Sequence, residues 1–132
     1  LTLQLRELGL PVLVVLNKYD VLKRRNQSID TNLLSEKLGC PVVALSAHNR
    51  KEVLSFKAIL PALIEQTQAS QPLDLAYGKD IDALVGQMTP QLSHPHLSNR
   101  GCALRLLEQD PVVEESMAAQ LTASAKQQIA QL

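Results

Sequence analysis

The tetrapeptide Asn17-Lys18-Tyr19-Asp20 has the residue types and spacing in this sequence that are best suited to chemistry. A carboxylate such as that of Asp20 can accept two hydrogen bonds, and guanine offers two neighbouring donors, the ring imino N–H and the exocyclic amine. Adenine lacks this donor pair, so a buried carboxylate would go unpaired and adenine would be rejected. The Asn side chain can bond the base and hold nearby loops, and the Lys stem can cover the purine ring. The pattern predicts a guanine-binding loop.

A second loop, Ser46-Ala47, follows the next apolar run of the sequence. Nucleotide-binding GTPases carry a Ser-Ala loop after the corresponding strand, and its backbone N–H touches the guanine oxygen. The dipeptide alone is a weak signal, but its position matches that of the first loop. We therefore predict a guanine-binding site made of Asn17, Lys18, Asp20, Ser46 and Ala47. The alternative is that these are ordinary loop residues, since Asn, Lys and Asp all favour turns.

Two short apolar runs, residues 11–16 and 41–45, come directly before these loops. Val-rich runs of this length are typical of strands that are buried on both faces of a parallel sheet. Right-handed crossovers place the loops that follow both strands at the same edge of the sheet, where ligands bind. The polar stretch at residues 18–30 carries no predicted element.

Helices are predicted after each run. Asp30 or Thr31 caps the first of these helices and Gly39 ends it, while Asn49 with Glu52 resembles a capping box for the second. We expect Pro61 to bend that second helix near residue 58. Its inner side is predicted to carry Val53, Leu54, Ile59, Leu60, Leu63 and Ile64.

The character of the sequence changes near Gln66, where a polar linker leads to residue 72. Helical stretches are predicted at residues 73–92 and 99–109, and a third begins at Asp110 as cap with Pro111 in the first helical position. The apolar stripe of that third helix is Val113, Met117, Leu121 and Ile129. The predicted fold class is α/β followed by all-α, with the strands of a parallel sheet and their helices at residues 1–66 and a helical domain at residues 67–132.

Composition excludes several classes of protein. Hydrophobic residues make up 45% of the chain, and the 13 basic and 13 acidic residues cancel, so there is no electrostatic footprint for nucleic acid. No apolar run approaches the roughly 20 residues that a membrane helix needs, so we expect this chain to be soluble. Because it begins abruptly, without Met, we also expect it to be part of a longer protein.

Two motifs of nucleotide hydrolysis are absent from the sequence. There is no Gly-x-x-x-x-Gly-Lys-Ser/Thr to cradle phosphates, and no Asp-x-x-Gly to hold a metal near the terminal phosphate. The chain alone is therefore predicted to have no catalytic residues and to be inactive. A metal site is not predicted either, since His94 and His96 flank Pro95 without a third ligand nearby.

Several flanking segments resemble the bacterial ferrous iron transport protein B family. The resemblance lies in the first 11 residues, the strand that leads to Asn17 and Asp20, and the stretch Leu-Gly-Cys-Pro-Val at residues 38–42. It extends to Arg-Gly-Cys-Ala-Leu-Arg-Leu-Leu-Glu-Gln-Asp at residues 100–110. Because these segments fall in both halves, the resemblance covers almost the whole chain.

The resemblance implies a cytosolic GTPase domain, then a helical spacer domain, then membrane helices that move ferrous iron. Residues 1–66 would hold the last two strands of a partial P-loop GTPase-type parallel sheet with their helices, and residues 67–132 the helical spacer domain. In that mapping the chain binds GTP and GDP through the five site residues above, with Mg²⁺ held only by residues outside it. Its implied partners are the upstream half of the GTPase domain and the downstream membrane domain, at the cytoplasmic face of the bacterial inner membrane. No nucleic acid is implied, and the separated chain is expected to self-associate through exposed apolar faces.

The sequence also departs from the family. Relatives often carry glycines in the second loop where Arg50 and Glu52 stand, and often a nonpolar residue at the position of Lys18. Arg50 and Glu52 are bulkier than glycine and are expected to restrict the loop that carries Ser46 and Ala47. Two alternatives stay open at this point: part of another P-loop GTPase that acts on the ribosome or tRNA, or a helical interaction module with a chance Asn-Lys-x-Asp.

Overall fold

The computed structural model describes residues 1–68 and 71–119 of the chain. Two parallel strands with their helices come first and helices alone follow, which confirms the predicted α/β segment before an all-helical one. None of the described helices combines the length and apolar character needed to cross a bilayer. The elements are α1 (Thr2–Glu7), β1 (Val14–Leu16), α2 (Tyr19–Arg24), α3 (Thr31–Leu38), β2 (Val42–Ala44), α4 (Arg50–Gln68), α5 (Lys79–Met88) with a 3₁₀ turn (Thr89–Gln91), α6 (Asn99–Leu107) and α7 (Pro111–Met117).

The chain divides into two compact units. Among the described residues, the first consists of residues 1–6, 11–68 and 71, and the second of residues 7–10 and 72–119. The short segment before β1 therefore belongs with the helices of the second half of the chain. Each unit is described separately below.

The sheet of the first unit is formed by β1 and β2, which pair in parallel with Val14 opposite Val42 and Leu16 opposite Ala44. Each strand has three residues, shorter than the predicted runs. Both runs begin with a proline, which has no N–H to donate to a ladder, so regular pairing starts only beyond it. The Leu45 N–H donates to the Leu16 carbonyl at 3.0 Å, which places the loops after both strands side by side.

Helix α3 begins and ends as predicted. The Asp30 carboxylate accepts the backbone N–H groups of Asn32 at 3.0 Å and Leu33 at 2.9 Å. Gly39 ends the helix in the left-handed conformation at φ 62°. A side chain there would be strained, so both limits of α3 follow from local chemistry.

Replacing Asp30 by Ala should lower the free energy of unfolding by about 1 kcal/mol, because two N–H groups of the first turn lose their acceptor. Urea denaturation followed by circular dichroism measures this loss. Asp30→Asn is the matched control, since an amide oxygen caps a helix about as well as a carboxylate. Equal destabilisation by both variants would contradict the capping role.

Helix α2 occupies part of the polar stretch in which no element was predicted. It has only six residues, and it starts directly after Lys18, whose left-handed backbone turns the chain out of β1. A helix this short has little intrinsic stability, so sequence periodicity gives no signal for it. The turn at Lys18 starts the helix, because the Lys18 carbonyl accepts the Val21 N–H at 3.0 Å.

Helix α4 continues from Arg50 through Pro61 to Gln68 without a break, so the helix does not restart at the proline. The predicted inner side is only partly covered. Leu54, Ile59 and Ile64 are 56%, 48% and 46% exposed, which contradicts the prediction for these three residues. Within the described residues, the two-stranded sheet and its neighbouring helices leave these three side chains uncovered.

The second unit has a contiguous apolar core. It contains two methionines and a fully buried cysteine in place of aromatic side chains, in line with the low aromatic content. Its buried members are Val85, Met88, Leu92, Cys102, Ala103, Leu106, Val113 and Met117. The buried positions of α7 match the predicted stripe at Val113 and Met117, while Leu121 and Ile129 lie outside the described residues.

Helix α5 begins at Lys79, later than the predicted start at residue 73. The preceding segment is held by other partners: Asp82 accepts the backbone N–H groups of Tyr77 and Gly78, each at 3.2 Å. The Arg100 guanidinium donates to the Leu75 carbonyl at 2.5 Å. The N–H of Tyr77 lowers the pKa of Asp82, against a smaller rise caused by burial.

Glu7 and Leu8 are fixed to the helices of the second unit through Ser98. Its N–H donates to the Leu8 carbonyl at 2.7 Å and its hydroxyl to the Glu7 carbonyl at 2.6 Å. The same hydroxyl accepts the Gly101 N–H at 2.9 Å and so caps α6.

The Tyr77 hydroxyl donates to the buried Glu7 carboxylate at 2.5 Å, which raises the pKa of Tyr77 to about 12.

Candidate functional site at the edge of the parallel sheet

The predicted site residues come together where β1 and β2 end. Asn17 follows the last residue of β1, and Leu45 with Ser46 follows β2. The Tyr19 N–H donates to the Leu45 carbonyl at 3.3 Å, so the loops after the two strands are joined by main-chain contact. This is the carboxyl edge of the sheet, where α/β proteins bind ligands.

Asn17 links the two loops through a single atom. Its Oδ1 accepts the N–H of Lys18 at 2.7 Å and the N–H of Ala47 at 3.0 Å. One side-chain oxygen thus fixes its own loop and the Ser46-Ala47 loop together. The structure therefore places the two predicted loops in direct contact.

Lys18 adopts the left-handed backbone conformation, with φ 58° and ψ 33°. For a residue with a Cβ this costs about 1 kcal/mol. The Lys18 carbonyl accepts the Val21 N–H at 3.0 Å, which begins α2. The turn places Asp20 in the first turn of α2, close to Ser46.

Asp20 has one engaged and one unengaged carboxylate oxygen. Its Oδ2 pairs with the guanidinium of Arg24, four residues later on α2, and lies 3.8 Å from His48 Nε2. Its Oδ1 is buried and has no hydrogen-bond partner among the described residues. A buried acceptor without a partner is unfavourable, so this oxygen is suited to a donor supplied by a ligand.

Opposing effects act on the pKa of Asp20. Partial burial raises this pKa, but the hydrogen bond from Arg24 and the nearby Ser46 hydroxyl and His48 outweigh it, so that the pKa is lowered. The carboxylate is therefore ionised at neutral pH. Sequence analysis did not identify Arg24 or His48 as neighbours of Asp20; the i,i+4 spacing of Asp20 and Arg24 would have shown the pair had α2 been predicted.

Ser46 is buried and contacts both flanking segments. Its hydroxyl accepts the Asp20 N–H at 3.0 Å. Its own N–H donates to Glu52 Oε2 at 2.6 Å, while Glu52 Oε1 accepts the side-chain amide of Asn49 at 3.0 Å. The predicted capping box is thus altered: Asn49 caps the Lys51 N–H at 3.1 Å, but the carboxylate of Glu52 reaches back to Ser46 instead of to the Asn49 N–H.

The histidine pair lies in the other unit and has a local role. His94 Nδ1 accepts the backbone N–H groups of His96 and Leu97, both at 3.1 Å, and so closes a turn. In the described part of the chain, no three His, Cys, Asp or Glu side chains form a group that could hold a metal ion.

Two family profiles match the sequence. The profile described as "Ferrous iron transport protein B" matches residues 1–60, and the one described as "FeoB cytosolic helical domain" matches residues 77–132. The first match contains both loops of the site. The second contains the helices of the second unit.

Relatives and solved structures agree with the profiles. A Legionella pneumophila Fe(2+) transporter FeoB is 33% identical over 118 residues, which cover 87% of this chain and 15% of the transporter. One from Salmonella choleraesuis is 34% identical over 83% of this chain and 14% of its own length. This chain thus spans about 15% of the length of these relatives.

Among structures, a variant of S. thermophilus NFeoB bound to GDP·AlF4⁻ matches with a TM-score of 0.73 at 32% identity, over 99% of this chain and 50% of that one. The cytosolic domain of a T. maritima FeoB in a GDP form has a TM-score of 0.76 at 20% identity, over 98% of this chain and 54% of that one. The second likeness concerns the fold alone.

Proposed function

Because the chain belongs to the ferrous iron transport protein B family, we propose that it supplies the guanine-reading corner and a helical regulatory segment of a GTPase coupled to ferrous iron transport. Residues 1–66 would be the end of the GTPase domain and residues 67–132 the helical spacer domain. The alternative of a ribosome- or tRNA-associated GTPase is not retained, because the family profiles match both halves of the chain.

The observation that carries this proposal is the buried Oδ1 of Asp20 at the edge of the sheet, which no donor of residues 1–68 or 71–119 contacts. It lies on a loop that is bonded to the Ser46-Ala47 loop through Asn17. Such a carboxylate would accept hydrogen bonds from the amine and the imino N–H of guanine. Its Oδ2 would be released from Arg24 when the base enters. The structural relative from S. thermophilus, which is bound to GDP·AlF4⁻, supports a guanine nucleotide as the ligand.

Each remaining site residue has a proposed role. Asn17 holds the two loops in register, and the stem of the exposed Lys18 covers the face of the purine ring. Ser46 fixes the start of α2 through the Asp20 N–H. The Ala47 N–H, which donates to Asn17 Oδ1 in this structure, would be shared with the guanine oxygen when the base is bound. Phosphates and Mg²⁺ would be bound by residues that this sequence does not contain.

We further propose that the chain acts within a longer parent protein, since it spans about 15% of the relatives. In that parent its partners are the preceding part of the GTPase domain and a membrane domain, at the cytoplasmic face of the bacterial inner membrane. The chain alone would hydrolyse no GTP. The exposed α4 residues Leu54, Ile59 and Ile64 support self-association of the separated chain.

Titration with fluorescent GDP and ADP tests this proposal on two proteins. The 132-residue chain should bind neither nucleotide tightly, with a Kd weaker than about 1 µM, because phosphate contacts supply much of the affinity. The parent protein should bind GDP tightly and ADP weakly. Submicromolar binding of GDP by the 132-residue chain would contradict the proposal that residues outside it bind the phosphates. Equal binding of GDP and ADP by the parent would contradict the guanine site.

A further inference from the structure

We infer that Glu52 is a positioning residue that holds the Ser46-Ala47 loop in the conformation that reads the 6-position of the base. This inference rests on the proposed function of that loop. Glu52 lies in the first turn of α4, six residues after Ser46, where the sequence predicted a helix cap and a residue bulkier than the glycine that relatives often carry. Its contacts show that its carboxylate serves the loop as well as the helix.

Both carboxylate oxygens of Glu52 are engaged on the side of the loop. Oε2 accepts the Ser46 N–H at 2.6 Å, and Oε1 accepts the Asn49 amide at 3.0 Å. The Asn49 N–H in turn donates to the Ser46 carbonyl at 2.8 Å, which closes the loop on itself. A short hydrogen bond to an ionised acceptor is among the stronger polar contacts in proteins.

The loop is therefore held from two sides. Asn17 Oδ1 accepts the Ala47 N–H from the side of the first loop, and Glu52 accepts the Ser46 N–H from the side of α4. Ser46 is only 2% exposed, so its N–H would have no ready access to water if Glu52 were shortened. The loop would then have to shift to satisfy that N–H group.

Such a shift would move the Ala47 N–H away from the place where the guanine oxygen is proposed to bind. A donor that must first be repositioned binds its acceptor less well. The expected consequences are faster loss of GDP and weaker discrimination at the 6-position. Recognition of the 2-amino group should not change, because it depends on the carboxylate of Asp20, which lies on α2 and is not altered.

A purely helical role for Glu52 makes a different prediction. An acidic residue in the first turn of a helix is favoured by the helix dipole whatever its length. Asp at this position would keep the charge and the dipole interaction, but it is one methylene shorter and would not reach Ser46. Glu52→Asp therefore separates positioning of the loop from stabilisation of α4.

The experiment uses the parent protein with Glu52→Asp, Glu52→Gln and, as matched control, Glu65→Ala, which removes an exposed carboxylate from the same helix. Dissociation rates and affinities are measured for GDP, for 6-thio-GDP, which alters only the 6-position, and for IDP, which lacks only the 2-amino group. Thermal unfolding of each variant is recorded alongside.

For Glu52→Asp we expect GDP to dissociate about tenfold faster, as for loss of one charge-assisted hydrogen bond. The preference for GDP over 6-thio-GDP should fall, while the preference for GDP over IDP and the unfolding temperature stay close to wild type. Glu52→Gln keeps one acceptor at full length for the Ser46 N–H but places an NH₂ group against the Asn49 amide, so its GDP dissociation should fall between those of Glu52→Asp and wild type. Glu65→Ala should equal wild type.

Unchanged GDP dissociation and an unchanged 6-thio preference in Glu52→Asp would overturn the inference while leaving the guanine site intact. An equal loss of affinity for GDP, 6-thio-GDP and IDP would also overturn it, because that result indicates general destabilisation. Failure of the wild-type protein to prefer GDP over ADP would overturn the proposed function itself, and the inference with it.

Discussion

Replacing Asp20 by Asn in the parent protein should lower its affinity for GDP by about a hundredfold, corresponding to about 3 kcal/mol. The carboxylate can accept from both the imino N–H and the amine of guanine. An amide at the same place offers one acceptor and places an NH₂ group against a donor of the base. The loss should therefore exceed that of a single neutral hydrogen bond.

The same substitution should raise the affinity for XDP. Xanthine carries an oxygen in place of the 2-amino group of guanine, so the NH₂ group of the introduced amide side chain would meet an acceptor. A gain for one base with a loss for the other is a signature that general destabilisation cannot produce. The measurement is competition of GDP, XDP and ADP against a fluorescent nucleotide.

The matched control for this exchange is Asp30→Asn, the same chemical change on a neighbouring helix of the same unit. Asp30 caps α3 and has no proposed contact with the base, and Asn is an equally good cap. That variant should keep the wild-type nucleotide preference. If Asp20→Asn still prefers GDP over XDP as strongly as wild type, the Asn-Lys-x-Asp pattern is accidental.

The ionisation state of Asp20 gives this prediction a pH range. The pKa of Asp20 is lowered in the folded protein from the ordinary value of 3.8, so the charged form is favoured. The stabilisation that ionised Asp20 gives the folded protein is fully present above pH 3.8. It is lost only as the pH falls through the lowered pKa of the folded state. Between about pH 5 and pH 8, guanine preference should not depend on Asp20 titration.

Replacing Gly101 by Ala should lower the free energy of unfolding of the second unit by about 2–4 kcal/mol. A methyl group there would lie 2.8 Å from Leu8 Cα, 2.8 Å from Ser98 Oγ and 3.0 Å from the Glu7 carbonyl oxygen. Two of these neighbours are main-chain atoms and cannot rotate away. The backbone of Glu7 and Leu8 would have to move away from α6, and the hydrogen bonds of Ser98 to it would be lost.

Gly86→Ala on α5 is the control that isolates this contact. Gly86 is exposed, and nothing lies within 4 Å of the position that its Cβ would take. Alanine should therefore stabilise α5 by about 0.5–1 kcal/mol through helix propensity alone. Urea unfolding and amide exchange of α6 measure both variants. A stable Gly101→Ala protein would show that the close approach is not required.

Local chemistry made much of this fold predictable. The Val-rich runs indicated both strands and their parallel pairing, and Asp30, Gly39 and Asp110 set helix limits at which the structure agrees. These features depend on residues close together in the sequence. The contact between the loops after the strands also followed, because parallel strands end at one edge of a sheet.

Other features depended on contacts that periodicity does not encode. Helix α2 begins because of the turn at Lys18, and the acceptor role of Glu52 toward Ser46 depends on how the loop folds back. The spacing of Leu54 and Ile59 shows which face of α4 is apolar, but not whether anything covers it. The neighbours of Asp20, Arg24 and His48, became evident only with the helix and loop in place.

The left-handed turn at Lys18 sets stability against function at one position. Glycine adopts this conformation without strain, so selection for folding alone would favour glycine there, by about 1 kcal/mol. A lysine is present instead, and under the proposed function its stem covers the base. The residue would then mark a trade-off in which fold stability is given up for ligand contact, and variants selected only for thermal stability should drift away from nucleotide binding at this position first.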